Sequence, residues 1–347
     1  MPPLKAGYFQ IFDYPSETEV LIRDELYGDH LISEPVLVAL LHSQPVLRLQ
    51  GICQHGVTGF LGHTRQITRL EHSVGAFLLV RILGARVDEQ VAALLHDISH
   101  TTLSHVVDWA LSKPGEESFH EVHKDRYVRD LTDLPRMLGE HGLLAGEVLD
   151  ESLFPLVEQP APHLCADRLD YALRDAVGFG KLSLDEVRRL LGSLRAFPDC
   201  AHPGRLMVLE DVDLALRLSR AYIAVDREVW SNRAHLDMYR RTGAVIRNVI
   251  RQGAITEEQL WKHSDWEFWE LLRRTADEED RRTLERLESE GLPDEGGLSL
   301  PTSAKVRTID PDVYSRDATE VVPLSKVLPS WAAERQEYIH SREMTRG

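Results

Sequence analysis

The sequence predicts an all-α fold that is mainly helical, with a minor β element at the N-terminus. Apolar residues recur at steps of three and four through much of the chain, the spacing of helices that bury one face. Strand-like runs are confined to residues 8–34. With 43% hydrophobic and 28% charged residues, the composition is that of an ordinary globular protein.

The N-terminal region predicts one or two short strands before the helical body. Residues 8–34 contain the strand-like run Glu19-Val20-Leu21-Ile22 and a turn signal at Tyr27-Gly28-Asp29. From Glu34 to Leu49 the sequence predicts two short helices, divided near Pro45, because proline lacks the N–H that a helix interior requires.

Two consecutive amphipathic helices follow. Residues 67–84 form the first, which ends at Gly84, and Asp88 is the expected N-cap of the second. Their apolar positions are Leu70, Val74, Phe77, Leu78 and Ile82 in the first, and Val91, Ala92, Leu94, Leu95 and Ile98 in the second. Residues 112–118 predict a loop. Further helices are expected at about 119–131, 163–178, 184–196, 211–229 and 233–252.

The charge pattern changes near residue 255. Residues 276–288 are dense in Asp, Glu and Arg, and residues 290–297 are rich in Gly and acidic residues, which is typical of a loop or linker. We therefore expect three units: an N-terminal extension over 1–34, a main domain over 35–254 and an accessory helical segment over 255–347. Three tryptophans near helical spacing are expected to be core or interface anchors: Trp261, Trp266 and Trp269.

Composition also limits the partners. The net charge of −16 and pI near 5.5 argue against stable nucleic-acid binding, which depends on Lys and Arg neutralising phosphates. Apolar runs such as Val91–Leu95 fall far short of the ~20 residues of a membrane helix, and the N-terminus lacks the apolar region of a signal peptide. A cytoplasmic protein without membrane partners is expected. Its three cysteines are far apart and predicted to be unpaired.

One apolar helix carries polar residues that are costly to bury. His96 and Asp97 follow Leu94-Leu95 directly, and His100 lies one turn later. A buried His and carboxylate lose several kcal/mol of hydration unless a partner compensates them. A divalent cation compensates both at once, and the alternative is a core histidine bonded to a backbone carbonyl. Adjacent helical residues diverge by about 100°, so further ligands must come from other helices.

The order His72, His96-Asp97, Asp167 resembles the H…HD…D signature of the HD phosphohydrolase superfamily. Further motifs are similar to the deoxynucleoside-triphosphate triphosphohydrolase branch: Arg69-x-x-His72-Ser73-x-Gly75, His96-Asp97-x-x-His100-x-x-x-x-His105, Phe119-His120-Glu121 and Asp167-x-x-Asp170-Tyr171-x-x-x-Asp175. The resemblance spans roughly residues 20–250 and identifies 35–254 as an HD phosphohydrolase domain.

The resemblance implies a role for each matching residue. The divalent metal, which could be Mn, Fe, Co, Ni, Zn or Mg, would be bound by His72, His96, Asp97 and Asp167. The catalytic residues would be His100 and His120, with Glu121 orienting His120. The residues that contact substrate phosphate or sugar would be Gln54, Arg69, His105, Arg168, Tyr171, Asp175 and Arg227.

The predicted function is metal-dependent hydrolysis of a small phosphorylated, nucleotide-like substrate, such as a dNTP cleaved to deoxynucleoside and triphosphate. Two alternatives remain open: a phosphomonoesterase or nucleotidase acting on a small metabolite, and a catalytically silent nucleotide-binding sensor or scaffold. A homo-oligomer, dimer or higher, is expected from the resemblance. His123, on the same helical face as His120, is as compatible with a solvent-facing position as with a functional one.

Overall fold

The structure is a computed structural model, and it describes residues 12–113, 115–301, 306–314 and 320–344. Helices dominate these residues, and the strands form two small sheets. The predicted mainly helical fold with a minor N-terminal β element is confirmed. Residues 8–11 of the predicted strand region and residue 114 of the predicted loop lie outside the described residues. No described helix is both long and apolar enough to cross a membrane.

The N-terminal sheet has three antiparallel strands in the order β1-β2-β3, one more than the upper number predicted. Val20, Ile22 and Ile32 are fully buried, so one face of the sheet packs against the helical body. Gly28, with φ of 83°, lies at the turn between the last two strands, in a conformation that favours glycine. The strands are β1 Phe12–Ser16, β2 Glu19–Asp24 and β3 Gly28–Ile32.

The next five helices lead to the polar residues of the HD-like motif. Helix α4 begins with a capping box, in which the Thr68 hydroxyl accepts from the Glu71 N–H while Glu71 accepts from the Thr68 N–H. The expectation that Asp88 caps α5 is wrong. The helix begins at Val87, so Asp88 lies in its first turn, where it pairs with Arg86. The helices are α1 Pro35–Leu41, α2 Gln44–Arg48, α3 Gly56–Phe60, α4 Arg69–Ile82 and α5 Val87–Leu95.

The middle of the chain is helical close to the predicted ranges. The expected helix 119–131 is divided at His123, and the expected helix 211–229 continues into a π-helical turn over Asp226–Trp230. The helices are α6 Val106–Leu111, α7 Phe119–Val122, α8 Lys124–Leu131, α9 Leu134–Glu140, α10 Ala145–Val148, α11 Ala166–Gly178, α12 Leu184–Ser193, α13 Val212–Val225 and α14 Arg233–Arg251.

A second, four-stranded sheet was not predicted. Residues 194–196 were expected to end a helix, because the leucine spacing of α12 extends to Leu194, but with Phe197 they form a strand that pairs with Leu206–Leu209 instead. Val208 then pairs in parallel with Asp312, more than a hundred positions later. The strands are β4 Leu194–Phe197, β5 Leu206–Leu209, β6 Asp312–Val313 and β7 Val322–Pro323, in that order.

The C-terminal part packs its apolar residues into the same core as the preceding helices. Trp261 and Trp269 are buried in this core and Trp266 packs against it, as predicted. The helices are α15 Gln259–Lys262, α16 Asp265–Thr275, α17 Glu278–Ser289, α18 Leu324–Val327 and α19 Pro329–Glu343.

Candidate metal centre

Three helices bring four predicted ligand side chains together. His72 projects from the first turns of α4, His96 and Asp97 directly follow the last residue of α5, and Asp167 lies in the first turn of α11. His72, His96 and Asp97 are at most 7% exposed. The polar residues of the HD-like motif therefore converge inside the protein rather than spread over its surface.

His72, His96 and Asp97 can present ligand atoms to one cation, and Asp167 lies beside the two histidines. His72 Nε2 lies 3.2 Å from His96 Nε2 and 3.5 Å from Asp97 Oδ2. Asp167 Oδ1 lies 3.0 Å from His72 Nε2 and 3.5 Å from His96 Nε2. Ligand atoms held ~2.1 Å from an ion lie roughly 3.0–3.4 Å from one another. The donor set therefore fits a divalent ion.

The other ring nitrogen of each histidine is held by the protein. His72 Nδ1 lies 2.8 Å from Asp170 Oδ2, and His96 Nδ1 lies 2.7 Å from the backbone oxygen of Ala93. Such bonds fix the ring and direct Nε2 toward a metal. Both imidazoles are thus oriented as ligands.

The electrostatics of this cluster also favour a cation. Burial would lower the pKa of His96, but Asp97 and Asp167 raise it to about 10. Burial would raise the pKa of Asp97, but His100, Arg69 and His96 hold it well below its usual range. The carboxylates thus stabilise positive charge between them, which a divalent ion supplies when it displaces the protons.

A second cluster contains the predicted catalytic histidines. The rings of His100 and His120 stack with centroids 3.6 Å apart, and His100 Nε2 lies 3.3 Å from Asp97 Oδ1. His120 Nδ1 lies 3.2 Å from a carboxylate oxygen of Glu121, whose other oxygen pairs with Lys124. Burial and the charge of Arg69 lower the pKa of His100 to about 3. Burial and the charge of His100 hold the pKa of His120 well below its usual range.

His105 lies at the exposed side of the second cluster. Its ring centroid is 5.0 Å from that of His100 and 5.5 Å from that of His120. Its Nδ1 lies 2.9 Å from Asp108, and its side chain is 47% exposed. Asp108 therefore holds the His105 ring through Nδ1.

Two predicted substrate residues lie beside the ligand cluster. Arg69 donates to Asp97 Oδ2 at 2.5 Å, to the hydroxyl of Ser104 at 3.0 Å and to the backbone oxygen of Gln54 at 3.5 Å. The side-chain oxygen of Gln54 is buried and accepts no hydrogen bond from the described residues. Arg69 thus links Gln54 to the candidate ligand Asp97.

Three other predicted substrate residues have polar groups engaged by the protein. Arg168 donates to the backbone oxygens of residues 159 and 163, at 3.1 and 2.6 Å. The hydroxyl of Tyr171 lies 2.7 Å from that of Tyr222. Asp175 accepts from the Trp230 ring at 2.7 Å and lies 2.8 Å from Nε2 of a histidine at position 55. All three residues lie on α11, and their hydrogen bonds are directed into the fold.

Arg227 occupies a different environment from the other predicted residues. It is exposed in the π-helical turn, and its guanidinium lies over the ring of Tyr338 at 5.4 Å. Among the contacts of the described residues, none joins Arg227 to a candidate metal ligand.

Asp170, a motif residue without a predicted role, lies behind His72 in the structure. Asp170 is fully buried and accepts from Tyr27 at 2.7 Å and from Arg174 at 3.0 Å. A Cβ at position 75 would lie 1.8 Å from an oxygen of Asp170, so only glycine fits there. The signal available in the sequence was a second aspartate one helical turn after Asp167, among apolar neighbours.

Replacing Asp170 by asparagine is expected to weaken metal binding by roughly 10–100-fold, the usual effect of losing a carboxylate behind a histidine ligand. The loss follows because the amide no longer supplies the negative charge that orients His72 and faces Arg174. Calorimetric titration of metal-stripped protein would measure it. Tyr27→Phe is the matched control, since it removes one hydrogen bond to the same carboxylate, and equal effects of the two changes would contradict this role.

Comparisons with known proteins relate this chain to HD-domain and phosphohydrolase proteins. A family model described as the HD domain matches residues 69–171. The metal-dependent phosphohydrolase cns2 of Cordyceps militaris is 59% identical over 344 residues, which cover 99% of both chains. The deoxynucleoside triphosphate triphosphohydrolase SAMHD1 of Danio rerio is 24% identical over 240 residues, 55% of this chain and 38% of that protein.

A solved structure shares the fold. The crystal structure of a phosphohydrolase from Bacteroides thetaiotaomicron superposes with a TM-score of 0.65 at 17% sequence identity. The superposition covers 89% of this chain and 94% of that one.

Proposed function

This chain belongs to the HD-domain family of metal-dependent phosphohydrolases, and on that premise we propose that it hydrolyses a nucleotide-like phosphate at the site described above. In this proposal His72, His96, Asp97 and Asp167 bind the metal. The observation that carries the proposal is the convergence of these four ligand atoms beside two stacked, buried histidines. A protein that only binds nucleotides gains little from two such proton carriers, which disfavours a silent sensor or scaffold.

The chemistry requires a nucleophile, charge neutralisation and a proton donor. When bound, a divalent ion neutralises charge on the phosphate oxygens and lowers the pKa of a water molecule. Arg69 adds a guanidinium 2.5 Å from Asp97, next to where that phosphate would lie.

Proton transfer falls to the histidine cluster. Hydrolysis joins a water oxygen to phosphorus and breaks the bond to the leaving oxygen, so the water loses a proton and the leaving oxygen gains one. His120 Nδ1 lies 3.2 Å from a Glu121 oxygen, and in this proposal the His120 ring exchanges these protons. The second ring, His100, is held by Asp97 through its Nε2 and supports the stacked pair.

We propose a nucleoside triphosphate, cleaved to nucleoside and tripolyphosphate, as the first substrate class to examine. The motif resemblance and the similarity to the Danio rerio triphosphohydrolase support it. A phosphomonoester is the second candidate. It is favoured by Arg168, Tyr171 and Asp175, whose polar groups bond within the protein rather than facing a long polyphosphate.

A product assay separates these candidates. Metal-stripped protein is supplied in turn with Mn²⁺, Co²⁺, Fe²⁺ or Mg²⁺ and tested on dNTPs, NTPs, nucleoside monophosphates and simple phosphate esters. Release of tripolyphosphate and nucleoside is the expected result for a triphosphohydrolase, whereas orthophosphate release indicates a monoesterase. Failure of every metal on every substrate would overturn the proposed function, and nucleotide binding without turnover would favour the sensor.

A further inference from the structure

A buried carboxylate from the predicted accessory segment reaches the loop that follows the metal-binding motif. Asp265, the first residue of α16, is fully buried. One of its oxygens accepts from the Leu103 N–H at 2.7 Å and the Thr102 hydroxyl at 3.2 Å. The other accepts from the Cys53 N–H at 2.8 Å. Asp265 thus joins two separate loops of the main domain, and the proposed reaction does not use it.

The loop that Asp265 holds has an unusual backbone. Leu103 and Ser104 have φ values of 55° and 49°, in the left-handed region that residues with a Cβ rarely adopt. Such a conformation persists only where its surroundings fix it. The same loop contains His100 and precedes His105, so its shape determines where two histidines of the second cluster lie.

Other residues of the same C-terminal segment also hold this loop. The Trp261 ring donates to the backbone oxygen of Ser99 at 2.7 Å, and the Thr102 N–H donates to the backbone oxygen of Leu260 at 2.9 Å. The side of the loop toward α2 is held by Arg48, which donates to the backbone oxygen of His100 at 2.7 Å. Three residues of the C-terminal segment, Leu260, Trp261 and Asp265, therefore form hydrogen bonds with this loop.

From this loop, hydrogen bonds continue to a proposed metal ligand. The Ser104 hydroxyl donates to the backbone oxygen of Cys53 at 2.6 Å and accepts from Arg69 Nε at 3.0 Å. Arg69 in turn donates to Asp97 Oδ2 at 2.5 Å. Both loops that Asp265 joins thus meet at Ser104, and Ser104 sets the position of the guanidinium that pairs with Asp97.

We propose that Asp265 is a positioning residue for the metal centre, acting through Ser104 and Arg69 on Asp97 and through the loop on His100. The inference rests on the proposed function in one respect, the assignment of Asp97 as a metal ligand. Both carboxylate oxygens accept hydrogen bonds, so an amide would place an NH₂ group against a backbone N–H or the Thr102 hydroxyl. Asp265→Asn keeps the volume and breaks part of this network.

The first test compares metal affinity in two variants of the same helix. Stripped wild-type protein is titrated with Mn²⁺, Co²⁺ and Zn²⁺, and the ion that binds most tightly is used throughout. Asp265→Asn is expected to weaken its binding by roughly 10–100-fold, the range for residues that act behind a ligand. Glu267→Gln is the matched control, because Glu267 caps α16 through Ser264 and the structure shows no bond from it to the loop. Its metal affinity is expected to stay within about threefold of wild type.

A second test determines whether the effect of Asp265→Asn on metal affinity depends on Ser104. Ser104→Ala is expected to weaken metal binding in the same direction, and the double variant to bind no more weakly than Asp265→Asn alone, since both break one path. Thermal midpoints of all variants are recorded. An Asp265→Asn protein that is less stable but binds metal like the wild type would overturn the proposal, as would fully additive losses in the double variant.

These outcomes are separable from failure of the proposed function. If the wild type binds metal but hydrolyses no phosphate, the proposed activity fails while the metal titrations still decide the role of Asp265. If the wild type hydrolyses its substrate and Asp265→Asn keeps wild-type metal affinity, only the positioning role fails. A wild type that binds none of these three ions, and neither Fe²⁺ nor Mg²⁺, would overturn both.

Discussion

Replacing Asp97 by asparagine is expected to lower kcat/KM by on the order of a thousandfold or more, corresponding to ~4 kcal/mol of transition-state stabilisation. The two carboxylate oxygens of Asp97 face different groups. Oδ2 faces His72, and Oδ1 faces His100. The amide removes the negative charge that attracts a cation but keeps one oxygen to accept from Arg69. Loss of metal content, measured on the purified variant, should accompany loss of turnover.

The control for this change is Asp88→Asn, which makes the same substitution in the first turn of α5, where the carboxylate pairs with Arg86 at the surface. Its turnover and metal content are expected to match the wild type, because exposed ion pairs contribute little. The thermal midpoint of each variant shows whether the fold survives. An Asp97→Asn protein that keeps its metal and turns over within about tenfold of wild type would refute the ligand assignment.

Replacing His120 by glutamine is expected to reduce kcat by about 10²–10⁴-fold, the usual contribution of a positioned acid or base, with little change in metal affinity. Glutamine retains a polar group in the cluster with His100 but cannot carry a proton between water and the leaving oxygen. Burial and the charge of the neighbouring His100 hold the pKa of His120 well below its usual range, which favours the neutral ring. Steady-state kinetics combined with metal titration would separate this effect from loss of the ion.

His123→Gln serves as the control, because the same change is made three residues later. The His123 ring packs against Phe119 and Trp261, with centroids at 4.4 and 6.1 Å, and makes no contact with the stacked pair among the described residues. Its kcat is expected to stay within about threefold of wild type. Equal losses in the two variants would show that the packing of α7, rather than proton transfer, limits the reaction.

The parts of the fold that the sequence predicted are those encoded by local spacing. Helix α4 was recognised from its apolar repeat and α5 from its apolar run into His96-Asp97, and both lie close to their predicted ranges. The cap at Asp88 was wrong because an aspartate in the first turn of a helix resembles an N-cap in sequence. Strands β6 and β7 have two residues each, too few for any period to be visible.

The residues of the site can be divided in the same way, into those that a local motif indicates and those that depend on tertiary contacts. The sequence indicated four candidate ligands whose side chains lie close together in the structure, since ordered motifs on separate helices carry that information. It gave no role to Asp170, and none to Asp265, whose function depends on a contact with residues about 160 positions earlier. Whether Tyr171 faces a substrate also depends on a tertiary partner, Tyr222, that no local pattern reveals.

The parallel pairing of Val208 with Asp312 has a consequence for how the chain acquires its shape. Closing so long a loop carries an entropy cost before any contact compensates it, and such non-local pairings slow folding. During synthesis, strand β5 leaves the ribosome before strand β6. Until β6 is available for pairing, one edge of β5 has unsatisfied backbone groups. A nascent chain halted shortly before residue 312 would therefore be more prone to aggregate than one released at full length.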